Sequence, residues 1–125
     1  MRLLVAGALV GCLSLNACSS ERDQWCGHVE EAAPKIGKAL DEGGSENGLL
    51  DALPVLHDLA DEAPDDVRGE WRTLVRAIQD LDEAVEAEDE KATQQAALKL
   101  ASPDVQDAAH AVDQEARDVC HTPLF

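Results

Sequence analysis

Cys26 and Cys120 stand near opposite ends of a chain of 125 residues. If they bond to each other, the first and last parts of the fold must meet. That requirement limits the topology more than composition does. Whether they bond depends on Cys12 and Cys18, which lie in or just after an apolar leading segment. Cysteines pair stably where the compartment is oxidising, so the leading segment has to be read first.

Met1-Arg2 supplies a minimal positive start, and Leu3 to Leu15 is almost wholly apolar. A helix that crosses a bilayer needs about 20 such residues, so this run is too short to span and reads as an export signal. It leads into Leu15-Asn16-Ala17-Cys18-Ser19-Ser20, an apolar approach to one cysteine followed by a polar spacer. This is the pattern of a bacterial lipoprotein cut just before Cys18. Acyl chains on that cysteine would hold it to the outer face of the cytoplasmic membrane, and two or more chains anchor stably where one does not. Leu9-Val10-Gly11-Cys12 fits the same pattern. Cleavage there leaves the apolar Leu13-Ser14-Leu15 on the mature end and three further cysteines, an odd number. Cleavage at Cys18 leaves one cysteine for lipid and two, Cys26 and Cys120, for each other. Ordinary secretion, with cleavage after Ala17-Cys18-Ser19 and no lipid, stands as the alternative. The expected division is a signal peptide at 1–17, a lipid-bearing tether at 18–24 and one helical domain at 25–125.

Ten Lys and Arg face 26 Asp and Glu, a formal charge of -16, and removing residues 1–17 with Arg2 takes it to -17. A field of that sign repels phosphate backbones and anionic bilayers. Nucleic acid is excluded as a partner, and attachment to a membrane requires the covalent lipid. Aromatic residues are few: Trp25, Trp71 and Phe125. A small domain with so thin a core gains much from a staple, and a Cys26–Cys120 bond closes a loop worth roughly 4–5 kcal/mol in the chain-entropy model.

Apolar spacing of three to four residues predicts helices throughout. The first starts near Asp23 and carries Trp25, Val29, Ala32, Ile36 and Ala39 or Leu40 on one face, with Pro34 expected to bend or restart it. Residues 43–48, rich in Gly, read as a loop. A second helix covers Leu49 to Glu62, with Leu49, Leu53, Leu56 and Leu59 or Ala60 inward, and Pro64 ends it. Asp65 or Asp66 is the expected cap of the third. Its seam of Val67, Trp71, Leu74, Ile78, Leu81 and Val85 suits packing along neighbours at a shallow angle. Arg68, Arg72, Arg76, Asp80 and Glu83 fall on its opposite, solvated face. The negative run from Glu86 to Glu90 marks the next turn, since such charge suits a helix start better than a helix end. Ala92–Ala101 then forms a short helix, Ser102-Pro103 an N-terminal cap, and Pro103–Val119 the last helix, with Val105, Ala109, Val112, Ala116 and Val119 inward. In an up-and-down bundle the two ends meet only if the helix count is even. The expectation is therefore all-α: an antiparallel four-helix bundle, its last helix kinked near Pro103, its ends stapled by the disulfide.

His110 between Asp107 and Asp113, His57 near Asp58 and Asp61, and His28 with Glu31 are the weak candidates for zinc or calcium; a solvated acidic face is the simpler reading of each. His121 follows Cys120 and is read as decorating the disulfide. HExxH, the twelve-residue calcium loop, GxSxG, the P-loop and the Rossmann glycine pattern are all missing from the sequence. Asp65-Asp66 reads as a cap rather than an acid/base dyad, and Trp71 as core rather than ligand wall. No cofactor and no catalytic set is expected.

Ala63-Pro64-Asp65-Asp66-Val67 followed by Trp71, then Ala116-Arg117-Asp118-Val119-Cys120-His121-Thr122-Pro123-Leu124, with Cys26 as the early cysteine, resemble a family of small exported helical proteins from high-GC Gram-positive bacteria. The resemblance covers both ends of the mature domain and its middle. It implies a helical domain outside the cell with paired cysteines, and it carries over no activity and no catalytic residue. The Gly43-Gly44 stretch and Gln94–Lys99 lie outside it. The expected function is that of a non-enzymatic, lipid-tethered helical module that binds an envelope protein or a small ligand. The alternatives are a metal-binding or metal-buffering acidic lipoprotein and a secreted protein without lipid.

Overall fold

The structure, a computed structural model, describes residues 21–125. The expected signal peptide, both rival cleavage points and the lipid site Cys18 lie outside the described residues. Within them the chain forms α1 (Glu21–Glu62), α2 (Arg68–Glu86), α3 (Glu90–Leu100) and α4 (Pro103–Cys120), with no strand. α1 begins at Glu21, so residues 21–24, expected in the tether, are already helix.

α1 is two helices joined at one residue. Gly44 sits at φ 72°, ψ -175°, outside the helical region, and the chain folds back there so that the halves 21–43 and 45–62 lie side by side. The loop expected over 43–48 is thus a tight reversal. A Cβ on Gly48 would come within 2.7 Å of the Ala39 carbonyl oxygen and the Leu40 Cα, and one on Gly43 within 2.7 Å of the Gly48 amide nitrogen. Only glycine permits that approach. Of the two outcomes expected at Pro34, a bend or a restart, the restart does not occur, for residues on both sides of it remain helical. Pro34 is exposed, and water can serve the carbonyl that its missing N–H leaves unpaired.

α2 starts at Arg68, with Val67 at its N-cap and no capping side chain. Asp65 and Asp66, the expected caps, are drawn elsewhere: Asp65 to Arg68 at 2.6 Å and Asp66 to Arg22 at 3.4 Å. Ion pairs with arginine occupy these carboxylates in place of the helix-start amides. The turn expected near Glu88–Glu90 is present, with Glu88 at φ 53° and Asp89 accepting a hydrogen bond from the Ala92 amide at 3.0 Å to cap α3. Ser102 precedes Pro103 at the first position of α4; its hydroxyl donates to the Lys99 carbonyl at 2.5 Å and does not cap. α3 and α4 both pack on α2 and touch one another little, as expected of one element bent at Ser102-Pro103. The architecture is the all-helical bundle.

The core joins all the predicted faces. Trp25, Val29 and Ile36, then Leu56, then Trp71 and Ile78, then Val105 and Val112 are buried to within 2%. The rings of Trp25 and Trp71 meet edge to face, 5.5 Å apart and at 86°. The α2 seam departs from expectation at Val85, 43% exposed, where the helix outruns its neighbours; in α4, Ala108 is buried where Ala109 was expected.

Cys26 and Cys120 are bonded, their Cα atoms 5.0 Å apart and 94 residues apart in sequence. Replacing both with serine is expected to lower the unfolding free energy by about 2–5 kcal/mol while leaving the helix content in place. Denaturant titrations followed by circular dichroism, with the intact protein plus reductant as a parallel case, check this.

Candidate functional site

One end of the bundle gathers several of the polar residues singled out in the sequence, among them His28, Asp65, Asp66 and Arg68. The start of α1, the 62–68 connection, the start of α2 and the end of α4 converge there, because the disulfide ties α1 to α4 and the tryptophan pair joins α1 to α2. Arg22 reaches across to Asp66 at 3.4 Å, His28 Nδ1 contacts Glu62, and Arg68 donates to the Ala63 carbonyl at 3.1 Å. A cleft of ≈ 760 Å³ runs between these groups, with Trp25 and Pro64 in its wall.

Beside it lies a narrower groove of ≈ 310 Å³ between the two halves of α1. Ala32, Val55 and Leu59 supply its apolar surface, and Glu31, Asp58, Asp61 and Glu62 its acidic rim. Three of those carboxylates are engaged: Glu31 with Lys35 at 3.1 Å, Asp61 with His57 at 3.3 Å, and Glu62 with His28. The groove therefore offers apolar contact beside an acidic rim, three of whose carboxylates already have side-chain partners.

The weak metal candidates separate. Asp113 does not face a metal with His110 and Asp107. Its Oδ1 accepts from the backbone amides of Leu124 at 2.8 Å and Phe125 at 3.1 Å, and its Oδ2 accepts from Arg117 Nε at 2.6 Å. Arg117 then donates to the Phe125 carbonyl at 3.0 Å, and Leu124 is buried. Asp113 is a clamp on residues 122–125. His110 and Asp107 are exposed, and among the described residues no three His, Cys, Asp or Glu side chains gather to hold an ion. Burial pushes the Asp113 carboxyl up, but the hydrogen bonds from Arg117, Leu124 and Phe125 outweigh it and hold the group below the usual carboxylate range. His121 has a defined task as well: at φ 55° it is the left-handed residue that ends α4, donating its amide to the Ala116 carbonyl.

Glu115 was not singled out in the sequence. It sits half-buried on α4, its Oε1 enclosed and without a protein partner, as are the indole nitrogens of Trp25 and Trp71. Burial raises its carboxyl above the ordinary value, the charges of Asp66 and Asp118 add to this, and Arg22 opposes it. Only the assembled end reveals this group, because its neighbours come from α1, the 62–68 connection and α4. Compared with protein-family models, with curated proteins and with solved structures, the chain has no match.

The two carboxylates are expected to respond to acid in opposite senses. Asp113, lowered on folding, stabilises above the ordinary carboxylate range and loses that contribution as pH falls through its folded value. Asp113→Ala is expected to cost about 1–3 kcal/mol at neutral pH and to speed amide exchange at Leu124 and Phe125. Glu115, raised on folding, penalises the fold at neutral pH and is relieved as pH falls through its raised value. Glu115→Gln is thus expected to melt higher than the parent at pH 7, with the difference vanishing in acid. Thermal melts across that range, with hydrogen exchange of the last residues, read both.

Proposed function

We propose that the protein is an extracytoplasmic lipoprotein, anchored by acyl chains on Cys18, whose helical domain is a non-enzymatic binding module for an envelope protein or a small ligand. The observation that carries this is the division of the cysteines. Leu15-Asn16-Ala17-Cys18 presents one cysteine in the setting of lipid attachment, and the Cys26–Cys120 bond accounts for the next two without it. A stapled small domain suits an oxidising compartment outside the cytoplasm. The resemblance to small exported helical proteins of high-GC Gram-positive bacteria points the same way. α1 starts three residues after Cys18, so the anchor would hold the end with the Trp25 cleft near the bilayer.

The groove between the halves of α1 is the face best suited to a partner under this reading. Its apolar surface and paired carboxylates lie between the two halves of the helical hairpin, about two to four turns from the start of α1.

Intact mass measurement of protein purified from its own envelope is the direct test. The expected first residue is Cys18, carrying a diacylglyceryl adduct, and Cys18→Ser is expected to abolish the adduct and free the protein from the membrane fraction. A mature chain that starts elsewhere, or an unprocessed precursor in the cytosol, overturns the proposal.

A further inference from the structure

A third groove, of ≈ 470 Å³, lies between the second half of α1 and α2, on the face that the sequence reading left as solvated surface. Its cations come from one row of α2, Arg68, Arg72 and Arg76, spaced one turn apart, with the Gln79 amide beyond them. Three arginines on consecutive turns repel one another, an arrangement that a helix does not favour for its own sake. One carboxylate, Asp61, lines the groove, and it is occupied by His57 at 3.3 Å.

The chain has carboxylates in large excess, and among the described residues it uses them on every cation outside this groove except the exposed Lys91. Arg22, Lys35, Lys38, Arg68, Lys99 and Arg117 are all ion-paired. Arg72 and Arg76 have no ion pair and no side-chain hydrogen bond among the described residues, although Asp80 stands four residues beyond Arg76 on the same helix. Two adjacent guanidinium groups without partners, in a concave surface with a positive balance, are an exception in a protein of charge -16.

We propose that this groove binds a compact oxyanion, a phosphate or phosphate monoester, with Arg72 and Arg76 as its principal ligands. Guanidinium groups present planar pairs of N–H donors that match phosphate oxygens, and two of them one turn apart can close on a single tetrahedral group. Gln79 can add an amide donor. Arg68 contributes charge, although its own donors are held by Asp65 and the Ala63 carbonyl. Val75 and Ala60, both buried, form the floor of the same groove. The acidic remainder of the protein sets the upper limit on ligand size. A polyanion would lay its further charges against carboxylates, whereas one small group meets only the arginines. The inference does not depend on the lipid at Cys18.

Arginine side-chain Nε–H resonances of the purified protein, followed while sodium phosphate replaces sodium chloride at constant ionic strength, provide the test. Saturable shifts at Arg72 and Arg76 are expected. The double substitution Arg72→Gln, Arg76→Gln is expected to weaken phosphate binding by about tenfold or more, as loss of charge-assisted fork contacts implies. Lys91→Gln, outside the groove, is expected to leave it unchanged. A second arm compares the protein on phosphatidylglycerol and phosphatidylcholine vesicles. Shifts with dissolved phosphate alone identify a soluble ligand, and shifts on phosphatidylglycerol alone a lipid headgroup; either, if abolished by the double substitution, supports the site. Absence of saturable shifts in both arms, or their survival in the double variant, overturns it.

Discussion

Closure of the chain's two ends is the constraint on which the other features rest. The bonded cysteines of the first and last helices are 94 residues apart in sequence, and few large side chains are available to hold those ends together. The protein concentrates what it has at that junction. Trp25 and Trp71 meet there, Cys26 is bonded to Cys120, and Arg22 bridges to Asp66. An edge-to-face aromatic pair and a long-loop disulfide act on different sides of the folding equilibrium. The rings stabilise the folded state through contact, and the bond reduces the freedom of the unfolded chain. Neither depends on a large core.

The same closure explains which features were legible in the sequence. Helix faces were, because a period near 3.6 over several turns is a local property. Trp71, Leu74, Ile78 and Leu81 face inward as their spacing requires. The Glu88–Glu90 turn and the Ser102-Pro103 junction were legible for the same local reason. What could not be read depended on partners far along the chain. Asp65 and Asp66 look like caps until Arg68 and Arg22 arrive as stronger partners. Asp113 looks like a neighbour of His110 until the amides eleven and twelve residues later fold back onto it. The glycines at 43 and 48 announce a turn, but nothing local announces that the second must pass within contact of the Ala39 carbonyl.

Charge follows a comparable rule. Several cations of the domain serve to fix geometry: Arg117 locks residues 122–125, Arg68 the start of α2, and Arg22 the start of α1 to the 62–68 connection. A surface ion pair of this kind contributes little alone. In a strongly acidic chain its larger effect is to place one of many negative charges and relieve the repulsion among the rest. Arg72 and Arg76 depart from that economy, and the departure became visible only once the second half of α1 was placed against α2 to form a concave wall.

The segments on which the sequence resemblance rests also acquire a physical meaning. Ala63 to Val67 with Trp71, Ala116 to Leu124, and Cys26 are scattered along the chain, yet all contribute to the one closed end. Pro64 ends α1, Asp66 takes Arg22, Trp71 meets Trp25, Ala116 receives the His121 amide, and Leu124 is buried under the Asp113 clamp. Each of these is a closure task. A motif made of such residues specifies how a bundle of this kind is shut, not what it binds. Chains that share it would share the closed end and remain free to differ on their sides. Specificity would then reside on the faces the motif does not touch: the groove between the halves of α1 and the arginine row of α2.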